Sequence, residues 1–401
     1  MPQETGTAVE RATAPRPPRR VLIGLCATEI TSWGVLYYAF PVTLSSLTRD
    51  TGWSTATAMA AFSAGAVVSA LAGILVGRLI DARGPRPVMT TGSVVGVAAV
   101  VAIAAAPSLP LFFAAWVLAG LAQSAVLYQP AFTALTGWYG PDRVRALTAV
   151  TLAGGFASTV FAPLTALLLD HLTWRGTYLA LAVILGVVTV PLHALCLTPP
   201  WRHGRTRGAP YERDAHARAV VRSRPFAVLT AAMTCAAFGC YAATVNLVPL
   251  LTSGGMGTHL AAVALGLCGA GQVLGRLGYP RLAARTAPPG RAAAILTAGA
   301  VTVAVLGVLR GPGAVVVAVL AGAARGMFTL LQATTIADRW GTRAFGHVNG
   351  VFTAPITVAI ALAPGGGALL ARLTGGYPVS YCVLAALTFA AAVAIRQTGT
   401  S

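Results

Sequence analysis

The stretch GRLIDARGPR, from Gly77 to Arg86, decides the fold. It separates two long apolar runs, Ser54–Ile80 and Pro87–Ala106, and concentrates an aspartate and arginines between them. Gly84 can adopt the positive φ that a sharp turn needs. Asp81 can pair with an arginine or lie against a helix N-terminus, which attracts negative charge. The stretch therefore predicts a short, charged turn between two membrane-length helices.

The composition of the 401-residue chain excludes a water-soluble protein. Hydrophobic residues make up 56% of it and charged residues only 9%, with a mean hydropathy of +0.74. Soluble domains carry about a quarter charged residues, so the polar surface needed to dissolve this chain is absent. The net charge is +18, and because the sequence contains no lysine, all 28 basic residues are arginines. Most of them fall in or next to the loops between apolar runs, which is typical of membrane topology rather than of nucleic-acid binding.

Apolar runs long enough to cross a bilayer recur along the chain. A spanning helix needs about 20 apolar residues, and six such segments precede a central polar stretch while six follow it. We predict an all-α membrane protein with twelve transmembrane helices in two six-helix halves. The predicted spans are Val21–Leu47, Ser54–Ile80, Pro87–Ala106, Pro110–Leu135, Ala146–Leu169, Gly176–Leu197, Pro225–Leu251, Leu260–Leu282, Arg291–Leu309, Gly313–Ala337, Phe345–Ala371 and Tyr377–Ile395.

These segments divide the chain into five parts. We predict a disordered cytoplasmic N-terminal arm (1–20), a first six-helix bundle (21–197), a basic cytoplasmic linker (198–224), a second bundle (225–395) and a cytoplasmic tail (396–401). With the N-terminus inside, 22 arginines lie on the cytoplasmic side and four on the outer side. Because cytoplasmic loops carry the excess of basic residues, this bias predicts a cell-membrane protein with both termini in the cytoplasm.

The opening stretch resembles the signature G-x-x-x-D-[RK]-x-G-[RK]-[RK], which follows the second helix in the major facilitator superfamily. The matching residues are Gly77, Asp81, Gly84 and Arg86. Two basic positions are replaced, and Arg83 supplies a charge one place along. The resemblance implies alternating access around a midplane site between the halves, with a conformational latch at Gly77, Asp81, Arg83, Gly84 and Arg86. An ordinary helix–loop–helix with positive-inside arginines is the alternative.

Three charged residues lie deep within the predicted spans, where charge is costly and points to function. Arg276 lies nine residues before Arg285, which places it about 13 Å inside the helix end. Arg325 sits twelve residues from both ends of its span, near the midplane. Glu29 is eight residues into the first span, about 12 Å from its start. We interpret Glu29 as a candidate for proton coupling.

Each deep charge also has a structural alternative. The Arg276 side chain can extend its charged end to the headgroups. Arg325 can be held in a structural ion pair or by backbone carbonyls. Glu29 can be a buried carboxyl that holds a neighbouring helix through hydrogen bonds. The sequence leaves these alternatives open.

A finer resemblance involves Gln272 and Arg276, which form Q-x-x-x-R on one face of the eighth span. Together with the segment EITSWG, which begins at Glu29, it is similar to the monocarboxylate and oxalate/formate branch of the superfamily. Animal monocarboxylate carriers have D-x-x-x-R there; the Arg is thought to bind the substrate carboxylate and the Asp takes part in proton coupling. The resemblance implies a carboxylate ligand for Arg276, whereas Gln272 cannot carry the proton. Transporters of the oxalate type have a basic residue in the eleventh helix. Because Phe345–Ala371 contains no basic residue at depth, oxalate itself is disfavoured.

Aromatic and polar side chains in several spans are candidates to complete a binding pocket. Tyr37 and Asn246 are favoured because they lie in the first spans of the two halves. For each aromatic residue, interfacial anchoring or packing is the alternative. The candidate substrate-binding residues are Arg276, Arg325, Tyr37, Asn246, Gln272, Trp33, Gln123, Tyr128 and Tyr241.

The sequence supports three hypotheses about function. It contains no recognisable Ser-His-Asp set, phosphate loop or metal-ligand cluster, so we expect neither an enzyme nor a cofactor. The leading hypothesis is a secondary active transporter of a small organic anion, monocarboxylate-like, with Arg276 and Arg325 as cationic anchors. The second is an efflux transporter for a drug-like or secondary metabolite; Gly154, Gly155 and Pro163 loosely resemble an antiporter signature. The third is a membrane receptor or scaffold that transports nothing.

The leading hypothesis also names partners. We expect a small-molecule substrate, the lipid bilayer, and either a proton or an exchanged anion. We expect no nucleic acid. The protein is predicted to be a monomer.

Overall fold

The computed structural model describes residues 18–201 and 210–397, and helices account for nearly all of them. The all-α class predicted from the sequence is therefore confirmed. Most of the predicted N-terminal arm and of the tail lies outside the described residues. Of the arm, Arg19 and Arg20 already belong to the first helix.

The helices follow one another with short connections. Those up to residue 201 are α1 (Arg19–Trp33), α2 (Ala39–Thr51), α3 (Thr55–Arg83), α4 (Pro85–Ala105), α5 (Leu109–Val126), α6 (Tyr128–Tyr139), α7 (Arg143–Gly155), α8 (Ala157–His171) and α9 (Trp174–Cys196). Those from residue 210 onward are α10 (Pro210–Val221), α11 (Arg224–Val245), α12 (Leu247–Ser253), α13 (Thr258–Arg285), α14 (Pro288–Val308), α15 (Gly313–Trp340), α16 (Phe345–Leu373) and α17 (Tyr377–Gln397). A π-helical segment, Gly34–Tyr38, joins α1 to α2, and a 3-10 turn, Gly140–Asp142, joins α6 to α7.

By length and hydropathy, eleven helical segments among the described residues can cross a membrane. One of them, Leu109–His171, has 63 residues. At about 1.5 Å per residue it would extend about 95 Å as one straight helix, roughly three times the thickness of a bilayer core. The 3-10 turn interrupts it. The multi-pass helical architecture agrees with the sequence, and the count of twelve spans stays a prediction.

The predicted linker contains a helix, α10, that the sequence analysis did not identify. Ala217 and Val220 are buried, and because they are three residues apart they lie on the same helix face. They join a hydrophobic cluster that also includes Phe226 of α11 and Phe345 of α16. Two small apolar residues among charged ones give only a weak hydropathy signal, so the sequence pattern does not predict this helix.

Three hydrophobic clusters among residues 18–201 and 210–397 hold the helices together. One is drawn from residues 35–185 and contains Phe40 and Trp116. Another is drawn from residues 242–385 and contains Leu250 and Tyr381. The third combines residues from both parts of the chain. Each half of the sequence therefore has a core of its own, and a shared core joins the halves at one end.

Glycines allow α13 and α15 to touch backbone to backbone. Gly271 and Gly275 on α13, and Gly322 and Gly326 on α15, are each four residues apart. A Cβ added at any of these glycines would overlap a backbone carbonyl oxygen of the other helix. This is the small-residue packing expected of membrane helices, in which close approach replaces the hydrophobic effect. It fixes the relative position of the two helices that carry Arg276 and Arg325.

We expect Gly275→Ala to destabilise the protein, because the added methyl group would push α13 away from the Ala323 carbonyl of α15. Overpacking of this kind costs about 1–3 kcal/mol. Gly269→Ala on the same helix is the matched control, since a Cβ there meets no atom within 4 Å. Thermal unfolding of both variants in detergent measures the difference. Equal melting temperatures would contradict the backbone contact.

Candidate functional site

A cluster of aromatic rings surrounds the π-helical segment, near the middle of the helix formed by α1 and α2. The ring centroids of Trp33 and Tyr37 are 5.3 Å apart, and those of Tyr37 and Tyr38 are also 5.3 Å apart. Tyr128, at the start of α6, lies 4.9 Å from Trp33. The π-helical turn, a feature often found at functional sites, shifts the helix register where these aromatic residues lie.

Gln123 supports this segment from α5. Its side-chain Nε2 donates to the backbone carbonyl of Leu36 at 2.9 Å, and the side chain is buried. The amide thus satisfies a carbonyl within the irregular turn, where the regular hydrogen-bond ladder is interrupted. A direct role for Gln123 in substrate binding stays a prediction.

Arg276 reaches from α13 to the backbone of α7. Its Nη1 donates to the Thr151 carbonyl at 2.7 Å, and its side chain is only 7% exposed. The Tyr128 hydroxyl donates to the same carbonyl at 3.3 Å. The Nε of Arg276 has no hydrogen-bond partner in the described part of the chain. The guanidinium therefore lies inside the protein and does not extend to the headgroups.

The sequence does not identify Thr151, because a backbone carbonyl leaves no signature in it. The signal that could have indicated this contact is the pair Gly154 and Gly155. An added Cβ at Gly154 would lie 2.5 Å from the Tyr128 hydroxyl, and one at Gly155 would lie 2.5 Å from the Nη1 of Arg276. The two glycines therefore make room for the tyrosine and the arginine.

Arg325 lies on α15 and contacts Tyr241 of α11. Its guanidinium carbon is 4.1 Å from the centroid of the Tyr241 ring, a cation–π contact. Its Nε is buried without a hydrogen-bond partner, and no carboxylate among the described residues pairs with it. The side chain borders a small cavity of about 20 Å³ that Thr244 and Cys268 also line. This arrangement is a cation held by an aromatic face rather than by an acid.

The two arginines face the aromatic cluster from the other half of the chain. Arg325 interacts electrostatically with Tyr37 and Tyr38, and Arg276 interacts with Tyr38 and Tyr128. The structure thus brings together six of the predicted binding residues, together with Tyr38. Those six are Arg276, Arg325, Trp33, Tyr37, Tyr128 and Tyr241.

Gln272 and Asn246 lie beside this group. Gln272 is half-buried one turn before Arg276, and its backbone carbonyl touches Gly326. Asn246 is buried at the break between α11 and α12; its Nδ2 donates to the Ala242 carbonyl at 2.9 Å and lies 3.5 Å from the Pro364 carbonyl of α16. Asn246 thus stabilises an interrupted helix. Substrate contacts for both residues stay predictions.

Glu29 is fully buried in α1. It is near enough to Tyr128 and Cys26 for electrostatic interaction. The Trp33 indole is also close to it, but no described donor meets hydrogen-bond geometry at either carboxyl oxygen. Burying an ionised carboxylate without a partner is costly. Glu29 is therefore a buried acid whose oxygens are available for a proton or a polar ligand.

The predicted latch lies where α3 meets α16. The Asp81 carboxylate accepts hydrogen bonds from the backbone N–H groups of Gly346 at 2.9 Å and His347 at 2.8 Å. These groups belong to the first turn of α16, whose dipole favours a negative charge. Gly77 and Gly346 contact each other through their backbones. The sequence predicts either an arginine or a helix N-terminus as the partner of Asp81, and these hydrogen bonds place it at a helix N-terminus.

The other latch residues shape the turn. Gly84 has a φ of +83° and packs against Trp201, whose Nε1 lies 3.5 Å from the Asp81 carbonyl. Arg83 and Arg86 have exposed side chains. Gly77, Asp81 and Gly84 thus make the contacts at this turn. A role for the two arginines in the latch stays a prediction.

A second polar contact between the halves lies at the same end of the molecule. Asp338 at the end of α15 pairs with Arg143 at the start of α7, 2.5 Å away, and with Arg291 of α14. We call this region, where the turns after α3, α6, α13 and α15 meet, the basic end. The sequence predicts that the basic end is cytoplasmic.

Comparisons with known proteins agree with this architecture. A family model described as Major Facilitator Superfamily matches residues 25–351. Monocarboxylate transporter 13 of Rattus norvegicus is 26% identical over 378 residues, which cover 90% of this chain and 82% of that protein. An uncharacterized 38 kDa protein of Thermoproteus tenax is 36% identical over 129 residues, and the chain spans 34% of its length. The resemblance drawn from the loop signature is confirmed.

Two solved structures have the same fold. The E. coli fucose:proton symporter superposes with a TM-score of 0.72 at 14% identity, over 95% of this chain and 98% of that one. A human organic anion transporter superposes with a TM-score of 0.74 at 15% identity, over 95% of this chain and 100% of that one. The two proteins are named for different cargoes, so this likeness concerns the fold alone.

We expect Asp81→Asn to loosen the basic end, because a neutral amide accepts more weakly than a carboxylate and its NH₂ group cannot accept from the second N–H. A cysteine introduced by Val348→Cys is the reporter, since Val348 is buried in the cluster that joins the halves. We expect a water-soluble maleimide to label the cysteine at position 348 faster in Asp81→Asn than in the Val348→Cys protein that keeps Asp81. We also expect Asp81→Asn to slow the turnover of transport. Asp170→Asn, at an exposed aspartate, is the control. Unchanged labelling and turnover in Asp81→Asn would rule out the latch.

Proposed function

Because this chain belongs to the Major Facilitator Superfamily, we propose that it is a secondary active transporter of a small, monocarboxylate-like organic anion. The family makes it a multi-pass membrane transporter rather than an enzyme. Our proposal adds twelve spans arranged as two bundles, 21–197 and 225–395, with both termini in the cytoplasm. Transport would proceed by alternating access around the site between the halves.

The observation that carries this proposal is the charge balance of the site. Arg276 and Arg325 approach the aromatic cluster from one half of the chain, and neither has a carboxylate partner among the described residues. The deep acid that accompanies them, Glu29, is one carboxyl for two cations. An incoming anion would supply the missing negative charge, and a guanidinium can bind a carboxylate through two parallel hydrogen bonds.

The walls of the site fit the rest of such a molecule. Trp33, Tyr37, Tyr38 and Tyr128 present aromatic surface next to the cations. Binding sites for small molecules are mostly apolar, with few polar groups that fix orientation. An organic acid with an apolar body matches both parts of this site. The similarity to a rat monocarboxylate transporter over 90% of the chain supports the same substrate class.

The contact between Arg276 and Thr151 suggests how substrate would drive the transition. It joins α13 to α7, so it holds the two halves together at the edge of the site. A substrate carboxylate is a stronger acceptor than a neutral carbonyl. When it binds Arg276, it would take the guanidinium from Thr151 and weaken this contact. Opening of the basic end would then follow substrate binding.

Binding of an acidic ligand to single variants tests the proposal. Arg276→Ala should lose at least about 2 kcal/mol of binding free energy, the lower range for truncating one partner of a buried charge pair. Arg276→Lys should also weaken binding, because lysine offers a point charge instead of a planar pair of donors. Arg285→Ala on the same helix is the control, since its side chain is exposed. Tryptophan fluorescence titration with a series of small carboxylates measures the affinities.

The same titration distinguishes the alternative. Full affinity for acids in a well-folded Arg276→Ala protein would end the organic-anion proposal. Tight binding of large neutral or cationic aromatic compounds, with no competition by small acids, would support an efflux transporter for drug-like or secondary metabolites. Arg325→Ala adds a second measure. If the Arg325 guanidinium contacts the ligand, this variant should bind acids more weakly. If Arg325 only supports Tyr241, the variant should lower the melting temperature and leave acid binding unchanged.

Glu29 is proposed as the group that couples transport to protons. Glu29→Gln keeps the shape of the side chain and removes its ability to exchange a proton. We expect uptake driven by a proton gradient to be lost, while exchange of substrate across liposomes continues. Exchange serves as the internal control for folding and binding. If gradient-driven uptake and exchange survive equally, Glu29 has only a structural role.

A further inference from the structure

A large cavity at the basic end lies between the two halves of the chain, apart from the substrate site. Its volume is about 870 Å³. Arg143 and Arg145 at the start of α7 line it from the first half, and Arg281 and Arg291 line it from the second. Two aspartates, Asp142 and Asp338, lie in its wall as well. The cavity is thus a site at which one ligand can contact cations from both halves.

The charges of this cavity are only partly balanced. Asp338 pairs with both Arg143 and Arg291, which uses the charge of that carboxylate. Arg145 and Arg281 are exposed, and no carboxylate in the described part of the chain pairs with either. With Asp142 also in the wall, four arginines face two aspartates, so the cavity keeps a net positive charge. The guanidinium groups of Arg145 and Arg281 are the ones available to an anion. Arginine is the side chain best suited to phosphate, because its planar donors match the phosphate oxygens.

The surface beside the cavity is apolar and exposed. Leu277 lines the cavity and is 52% exposed, and Leu274, one turn earlier on α13, is 62% exposed. With Arg281 they occupy positions i, i+3 and i+7, which share one face of the helix. This face therefore presents exposed apolar surface that ends in a cation. A phospholipid has a matching arrangement, with apolar acyl chains joined to a charged phosphate.

We propose that this cavity binds the phosphate group of an anionic phospholipid, with Arg145 and Arg281 on the phosphate and an acyl chain along Leu274 and Leu277. The ligand would contact both halves, so it would stabilise the conformation in which the basic end is closed. A soluble phosphate ester shares the headgroup chemistry and could use the same arginines. It has no acyl chain to place on the leucines, so the geometry favours the lipid.

The test compares the full chain with two double variants in a neutral detergent. Arg145→Gln with Arg281→Gln removes the two unpaired cations of the cavity. Arg222→Gln with Arg396→Gln removes two exposed arginines that do not line it, and so makes the same change in net charge. Native mass spectrometry measures binding of phosphatidylglycerol, of phosphatidylcholine and of glycerol phosphate. Melting temperatures without lipid verify that each variant is folded.

We expect phosphatidylglycerol to bind the unmodified chain more tightly than the other two ligands. The cavity variant should bind it roughly 30-fold more weakly. Each arginine near a membrane surface contributes about 1 kcal/mol to the attraction of an anionic lipid, and the loss of two such contributions corresponds to this factor. The control variant should keep most of the affinity. Equal binding of glycerol phosphate would overturn the lipid as the source of the phosphate. Equal losses in both variants, or no preference for phosphatidylglycerol, would overturn the site itself.

Discussion

The close contact between the backbones of α13 and α15 determines where the positive charge of the site lies. Arg276 follows Gly275, and Arg325 precedes Gly326, so each arginine is next to a glycine of the contact. Neighbouring residues on a helix point about 100° apart, which puts both guanidinium groups beside the interface instead of within it. A larger residue at any contact glycine would separate the helices and move the cations relative to the tyrosines. The geometry of binding therefore depends on residues that have no side chain.

The proposed substrate site and the basic end are connected through the first half of the chain. Thr151 lies in α7, which begins at Arg143 and therefore carries both an acceptor for Arg276 and a partner for Asp338. A shift of α7 changes both contacts. Asp81 adds an independent contact between α3 and α16. The closed arrangement thus rests on several polar contacts of moderate strength, a distribution that permits reversible opening.

The sequence predicts most of this architecture, because long apolar runs and charges inside them are strong signals. The turn at Asp81 and the deep positions of Arg276, Arg325 and Glu29 are all visible in it. The π-helical segment and the carbonyl partner of Arg276 are not, because they depend on main-chain geometry that many sequences can adopt. The sequence does separate Pro110–Leu135 from Ala146–Leu169, because the polar residues around the 3-10 turn at Gly140–Asp142 interrupt the apolar run. The partner that Asp81 selects also depends on tertiary contacts.

The lack of lysine in the chain has a consequence for how the site responds to its surroundings. A guanidinium group keeps its charge across the whole range of pH that a cell meets. The attraction that Arg276 and Arg325 exert on an anion is then constant, whatever the acidity on either side of the membrane. In the proposed site, a response to acidity would enter through the substrate or through Glu29. The proposed site thus combines a permanent electrostatic element with a titratable one.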